Sequence, residues 1–203
     1  MEQNFRRAIV SYIDAEARPR DKFSHQPRLY ELALRVGQGH IFDDDVVFAA
    51  VWLHDLGVFV GHRPEDPAEL TRWDNTAYAA RRAPELLEAF GFPPSKIPAV
   101  VEAIRTHQPA FDPLTIEGLI LRDADILEQL GAVGVLRTVC KVGRDTRFTT
   151  FDDALVALRK ALATLPGQIR LETTRRLAEP KIEMLRSFLE AAEAEGVIPG
   201  QTD

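Results

Sequence analysis

Eight consecutive apolar residues, Val46 to Leu53, run straight into His54-Asp55 and then Leu56-Gly57. A helix made of such a segment is apolar nearly all round, so it needs packing partners on every side and belongs at the centre of a helical assembly. Asp43-Asp44-Asp45 precedes it and suits the positive end of a helix. At the other end a carboxylate enters buried surroundings, which costs free energy unless it is paired or bound to a cation. The same segment is far too short to span a bilayer.

The remainder of the sequence also reads as helix. Residues 2–16 predict a first helix, ended by Arg18-Pro19. A second starts near Ser24 as N-cap, with Pro27 in its first turn, and ends at Gly37 and Gly39. The central helix is expected to stop at Gly57. Residues 57–73 read as a loop, and Asp74 as the N-cap of a helix that Pro84 interrupts or restarts. Pro93-Pro94-Ser95 introduces a helix with Ile97, Val100, Val101 and Ile104 at helical spacing, and His107 shares their inward face. Thr115 opens a helix that carries Asp123-Ala124-Asp125 and ends near Gly131. Further helices are expected at 132–142, 151–164 and 167–195, the last bent at Pro180. The tail from Gly200 to Asp203 is expected to fray. No hairpin signal, internal repeat or low-complexity tract interrupts this pattern.

At 203 residues a single domain is the default expectation, spanning 1–203. A net charge of −6 argues against binding to a nucleic-acid polymer, which usually needs a basic face. The one cysteine, Cys140, cannot form an internal disulfide and fits a reducing cytoplasm. Met1 to Arg20 lacks the apolar run of a signal peptide.

The ordered set His25, His54-Asp55, His107 and Asp123-Ala124-Asp125 lies in the segments FSHQPRLYELALRVG, VVFAAVWLHDLG, VVEAIRTH and LRDADILEQLGAVGVLR. These segments resemble the HD superfamily of metal-dependent phosphohydrolases over roughly residues 20–145. The resemblance implies an all-α, HD-domain-like compact helical bundle with additional C-terminal helices at about 145–195. It also implies one divalent metal ion held by His25, His54, Asp55 and Asp125. Two imidazoles and two carboxylates suit Mn, Mg, Fe, Co, Ni or Zn and discriminate poorly among them. The extra histidines of two-metal relatives have no clear counterpart, so one ion is expected.

Two points stay open at this level. Adjacent helical residues point about 100° apart, so His54 and Asp55 share an ion only if it sits beside the helix near its end. Periodicity puts Asp123 on the inward stripe of Ile116, Ile120, Leu127 and Leu130, and Asp125 with Gly118, Leu121 and Glu128. The family pattern nevertheless matches Asp125.

The expected chemistry uses a water activated by the metal, with Asp55 and His107 as catalytic groups. Arg137, Arg28 and Asp74 are the candidates for substrate binding, and Arg suits phosphate geometrically. Each has a plain alternative: His107 as a core histidine, the arginines as solvated charges, Asp74 as a helix cap. His40 and His62 are expected to be exposed, and Cys140 to be core. Two departures from the family stand out. Val58 occupies the place of a lysine that helps hold phosphate, and Val58-Phe59-Val60 offers no acid to the leaving group. That trio is expected instead to line a pocket for an organic moiety. The first expectation is hydrolysis of a small phosphate ester, a nucleotide or related metabolite. The alternatives are a metal-dependent hydratase or other enzyme of a phosphate-free substrate, and a non-catalytic metal-stabilised ligand-binding or regulatory module.

Overall fold

The computed structural model describes residues 4–18, 25–144 and 148–196. Ten α-helices follow one another among them: α1 (Asn4–Glu16), α2 (His25–Val36), α3 (Asp44–Leu53), α4 (Pro67–Thr71), α5 (Asn75–Ala89), α6 (Ile97–Thr106), α7 (Ile116–Glu128), α8 (Gly131–Val139), α9 (Phe151–Thr164) and α10 (Glu172–Ala194). The fold is all-α. One isolated bridge, Val60 to Arg63, is its sole β-type pairing among the described residues. No helix there is long and apolar enough to cross a membrane.

The chain divides into two compact units, 1–122 and 123–203, and the division falls inside α7. In the first unit α3 is the hub. Every residue from Val46 to Leu53 is buried, and α1, α2 and α6 pack around this helix. Helix α5 packs on α6 and on the short 3-10 turn Leu56–Val58. In the second unit α8, α9 and α10 pack on one another.

The N-terminus of α3 shows why the helix starts where it does. Asp43 is the N-cap, and its carboxylate accepts from the backbone N–H groups of Asp45 and Val46. Around it, Arg6 of α1 donates to Asp44 and Asp45 at 2.7 and 2.6 Å. Lys96, in the turn before α6, donates to Asp43 and Asp45 at 2.9 Å each. The Tyr30 hydroxyl of α2 donates to Asp44 at 2.7 Å, and burial and that bond push its pKa up to about 12. The Arg6 guanidinium also lies 4.6 Å from the Phe48 ring centroid. The acidic triplet thus serves the helix dipole and clamps three other segments to the central helix.

Several expected boundaries shift. Helix α3 ends at Leu53, before Gly57. Short α4 interrupts the expected loop 57–73. Helices α5 and α10 run on through Pro84 and Pro180. In α10 the proline and the residue one turn before it, Arg176, are exposed, so water can satisfy the freed carbonyl. Ser24, Pro19 and the tail from Gly200 lie outside the described residues.

Burial alone would raise the Asp45 pKa, but the bonds from Arg6 and Lys96 outweigh it and hold the pKa below the ordinary carboxylate value. A lowered folded-state pKa contributes stability that is complete at neutral pH. It is lost as pH falls below about 4 and through the folded value. Asp45→Asn is therefore expected to cost about 1 kcal/mol at pH 7. Urea unfolding of variant and wild type should converge as the pH is lowered toward 3; a gap that stays constant with pH would contradict this assignment.

Candidate metal centre

His54 is the C-cap of α3 and keeps a helical backbone, at φ −59° and ψ −31°. Asp55 has left the helix, at φ −94° and ψ 9°. The angular separation of neighbouring helical side chains therefore does not apply to this pair. Asp55 Oδ1 lies 3.6 Å from His54 Nε2, and Oδ2 lies 3.8 Å from His25 Nε2, at the first position of α2. The two imidazoles meet edge to face with centroids 5.5 Å apart. Both histidines are buried, and the Asp55 side chain keeps 17% of its surface exposed.

Backbone carbonyls set the state of two rings. His54 Nδ1 lies 2.8 Å from Val51 O, and His107 Nδ1 lies 2.6 Å from Ile104 O. A carbonyl only accepts, so each Nδ1 carries the proton, and the neutral ring has its lone pair on Nε2. His107 caps α6 as His54 caps α3, and the two rings meet edge to face at 5.0 Å. The structure thus brings His25, His54, Asp55 and His107 into one cluster. Nitrogen lone pair and carboxylate sit at separations close to the 3 to 4 Å, roughly, that two ligands on one divalent ion adopt. The donor chemistry fits a divalent metal.

Gly57 has a different role from the one expected of it. A Cβ there would lie 2.4 Å from Asn75 O and 2.6 Å from Asn75 Cα, so only glycine admits the start of α5 this close. The Gly57 carbonyl accepts from Trp73 Nε1 at 2.8 Å, and Val60 N donates to Arg18 O at 3.0 Å. These contacts fix the turn that carries Asp55.

In the second unit, the acidic pair on α7 divides its work. Asp123 is fully buried, as periodicity predicts, and its carboxylate accepts from the backbone N–H groups of Arg170 and Leu171 just before α10. It serves the entry to α10. Asp125 is half-buried, and its Oδ2 accepts from Gln129 Nε2 at 3.1 Å. Arg137 of α8 pairs at 3.1 Å with Glu128, whose side chain is 2% exposed.

Arg28 is half-buried on α2, one turn after His25. Asp74 is exposed and caps α5 by accepting from Ala77 N at 2.8 Å. His62 differs from expectation: its side chain is 8% exposed, bonded through Nε2 to Glu16 at 2.9 Å and through Nδ1 to the Tyr78 hydroxyl at 3.0 Å. The loop in which it lies is packed between α1 and α5, which local polarity does not reveal. Cys140 is exposed, because α8 ends at Val139 and leaves it at the C-cap. Phe59 is fully buried against His62, so Val58-Phe59-Val60 does not line a pocket as a unit. Sequence reasoning passed over Gln129, although its spacing of four from Asp125 on a helical segment was a usable signal.

Comparison with known proteins adds a family and a fold. The model of the HD domain matches residues 23–130. The uncharacterised protein YpgQ of Bacillus subtilis strain 168 is 25% identical, over 98% of this chain and 94% of its own length. The crystal structure of YpgQ matches with a TM-score of 0.75 at 25% identity, covering 98% of each chain. Its crystal structure in complex with ADP matches at 0.68 and 23%, covering 96% of this chain and 98% of that one. A predicted HD superfamily hydrolase from an uncultured Thermotogales bacterium matches at 0.65 and 26%, covering 96% and 95%.

Two substitutions test the local geometry. Gly57→Ala forces a side-chain carbon into the Asn75 backbone and is expected to destabilise the protein by about 1–3 kcal/mol in urea unfolding. Asp123→Ala strips an acceptor from two N–H groups ahead of α10, with an expected loss of about 1–3 kcal/mol. Wild-type unfolding midpoints in either variant would contradict the contact concerned.

Proposed function

Because the chain belongs to the HD domain family, we propose that it is a metal-dependent phosphohydrolase holding one divalent cation through His25, His54, Asp55 and Asp125. The observation that carries this reading is the meeting of His25, His54 and Asp55 at the end of α3, with the His54 tautomer fixed so that Nε2 offers a lone pair. Asp125 is the acidic residue of choice on α7, because the Asp123 carboxylate already serves the backbone before α10.

His25, His54, Asp55 and Asp125 would hold a divalent ion, which would supply Lewis acidity and make a water more acidic. Asp55 brings a carboxylate to both imidazoles, Oδ1 toward His54 and Oδ2 toward His25. His107, with its proton held on Nδ1 by Ile104 O, presents Nε2 as a hydrogen-bond acceptor beside His54 and is the group suited to take a proton in this cluster. Buried Leu53 and Leu56 flank the dipeptide and limit water behind it. Arg28 and Arg137 are the candidates for holding phosphate, and Arg137 also pairs with Glu128. Asp74 keeps its cap as its first role.

The substrate class is a small phosphate ester, with a nucleotide or related metabolite favoured because YpgQ crystallises with ADP. The exposed thiol of Cys140 accords with a reducing cytoplasm. A second reading keeps the metal and drops the phosphate, as a hydratase or a ligand-binding module. Val58 in place of a cation, and the pairing of Arg137, favour it.

The test is phosphate release from a broad panel of phosphorylated metabolites with Mn, Mg, Co or Ni added, together with metal content by mass spectrometry. Asp55→Ala is expected to lose bound metal and to drop turnover more than about a hundredfold. Retention of both metal and turnover in that variant would sink the phosphohydrolase reading. Folded, metal-loaded wild type that releases no phosphate would favour the second.

A further inference from the structure

We infer that Gln129 is a positioning residue of the metal centre, whose side-chain amide holds Oδ2 of Asp125 and so fixes the orientation of that carboxylate. The inference rests on the reading of Asp125 as a ligand. The Gln129 amide nitrogen reaches two oxygens of the same residue, Asp125 O at 3.3 Å and Asp125 Oδ2 at 3.1 Å. Both partners only accept, which identifies the contacting end of the amide as its NH2 group.

One of these bonds has an ordinary structural purpose. Asp125 O is among the last four carbonyls of α7, which have no partner within the helix. The bond to Oδ2 goes further. A carboxylate on a single carbon rotates easily, and an ion can take one of its oxygens or both. A neutral donor fixed on Oδ2 suppresses that rotation, with no change of net charge.

The donor itself is held by the fold. The backbone of Gln129 turns out of α7, with its N–H bonded to Ile126 O at 3.1 Å. Helix α8 then comes back against it at Gly134, where a Cβ would lie 2.3 Å from Gln129 O and 2.5 Å from its carbonyl carbon. Gly134 is therefore the residue that lets α8 seat on Gln129 and fix the origin of the amide. Partners of metal ligands commonly set affinity by about 10–100-fold when removed.

The test compares full-length wild type with Gln129→Met, which keeps the length and removes the donor, and with Gln129→Glu, which keeps the shape and replaces the donor by an acceptor. Mn affinity is measured by titration calorimetry, and unfolding midpoints are taken with chelator and with saturating Mn. Both variants are expected to bind Mn about 10–100-fold more weakly while their metal-free midpoints stay near wild type. Mn affinity of Gln129→Met within about twofold of wild type overturns the inference. A fall confined to the metal-free midpoint also overturns it, since it marks a purely structural cap. Asp125→Ala separates the two levels. If it abolishes Mn binding while Gln129→Met binds normally, only the positioning role fails. If Asp125→Ala binds Mn as wild type does, the ligand reading fails and takes the inference with it.

Discussion

Two helices of the first unit, α3 and α6, end on a histidine that bonds back to the carbonyl three residues earlier. Much of the site follows from that one interaction. A helix end leaves carbonyls without partners, and a buried end must find donors for them. Here the donor is the imidazole itself. Its Nδ1–H answers the carbonyl, so the neutral ring carries its lone pair on Nε2, on the far side. Satisfying the backbone and creating a metal-seeking nitrogen are the same act. The arrangement also explains why His54 tolerates burial at the end of an apolar helix: one nitrogen is paired, and the other faces Asp55.

The central helix makes this possible by being held at its opposite end. Arg6, Tyr30 and Lys96 converge on the acidic triplet before Val46, so its register is set by segments that are far apart in sequence. With the start fixed, the length of the apolar run decides where His54 falls. Burial of Val46 to Leu53 on all sides leaves the helix little freedom to rotate or slide.

Much of this was legible in the sequence. The apolar run, the acidic triplet, the Asp74 cap and the placement of His107 all follow from local pattern. The start of α7 at Thr115 does too, and Thr115 Oγ1 indeed accepts from Gly118 N. What local pattern missed depends on distant segments. Gly57 looks like a helix stop, yet its reason is the backbone of Asn75, eighteen positions on. His62 looks like a loop residue, yet Glu16 and Tyr78 enclose it. Asp123 and Asp125 were the hardest case. Periodicity correctly gave Asp123 as the more buried of the two. Asp123 is buried because it serves the chain near residue 170, which no period within α7 can reveal.

The turn after α3 has a consequence for how tightly the centre can bind. Its residues are tied by the Trp73 indole, by contact with Asn75 and by the bond from Val60 to Arg18. Ordering a free residue costs about 1–2 kcal/mol in lost conformational freedom. For Leu56 to Val60 that loss belongs to folding, not to ligand capture. On the proposed metal-site reading, an incoming ion would meet a carboxylate already brought to bear, with little left to spend on ordering the chain.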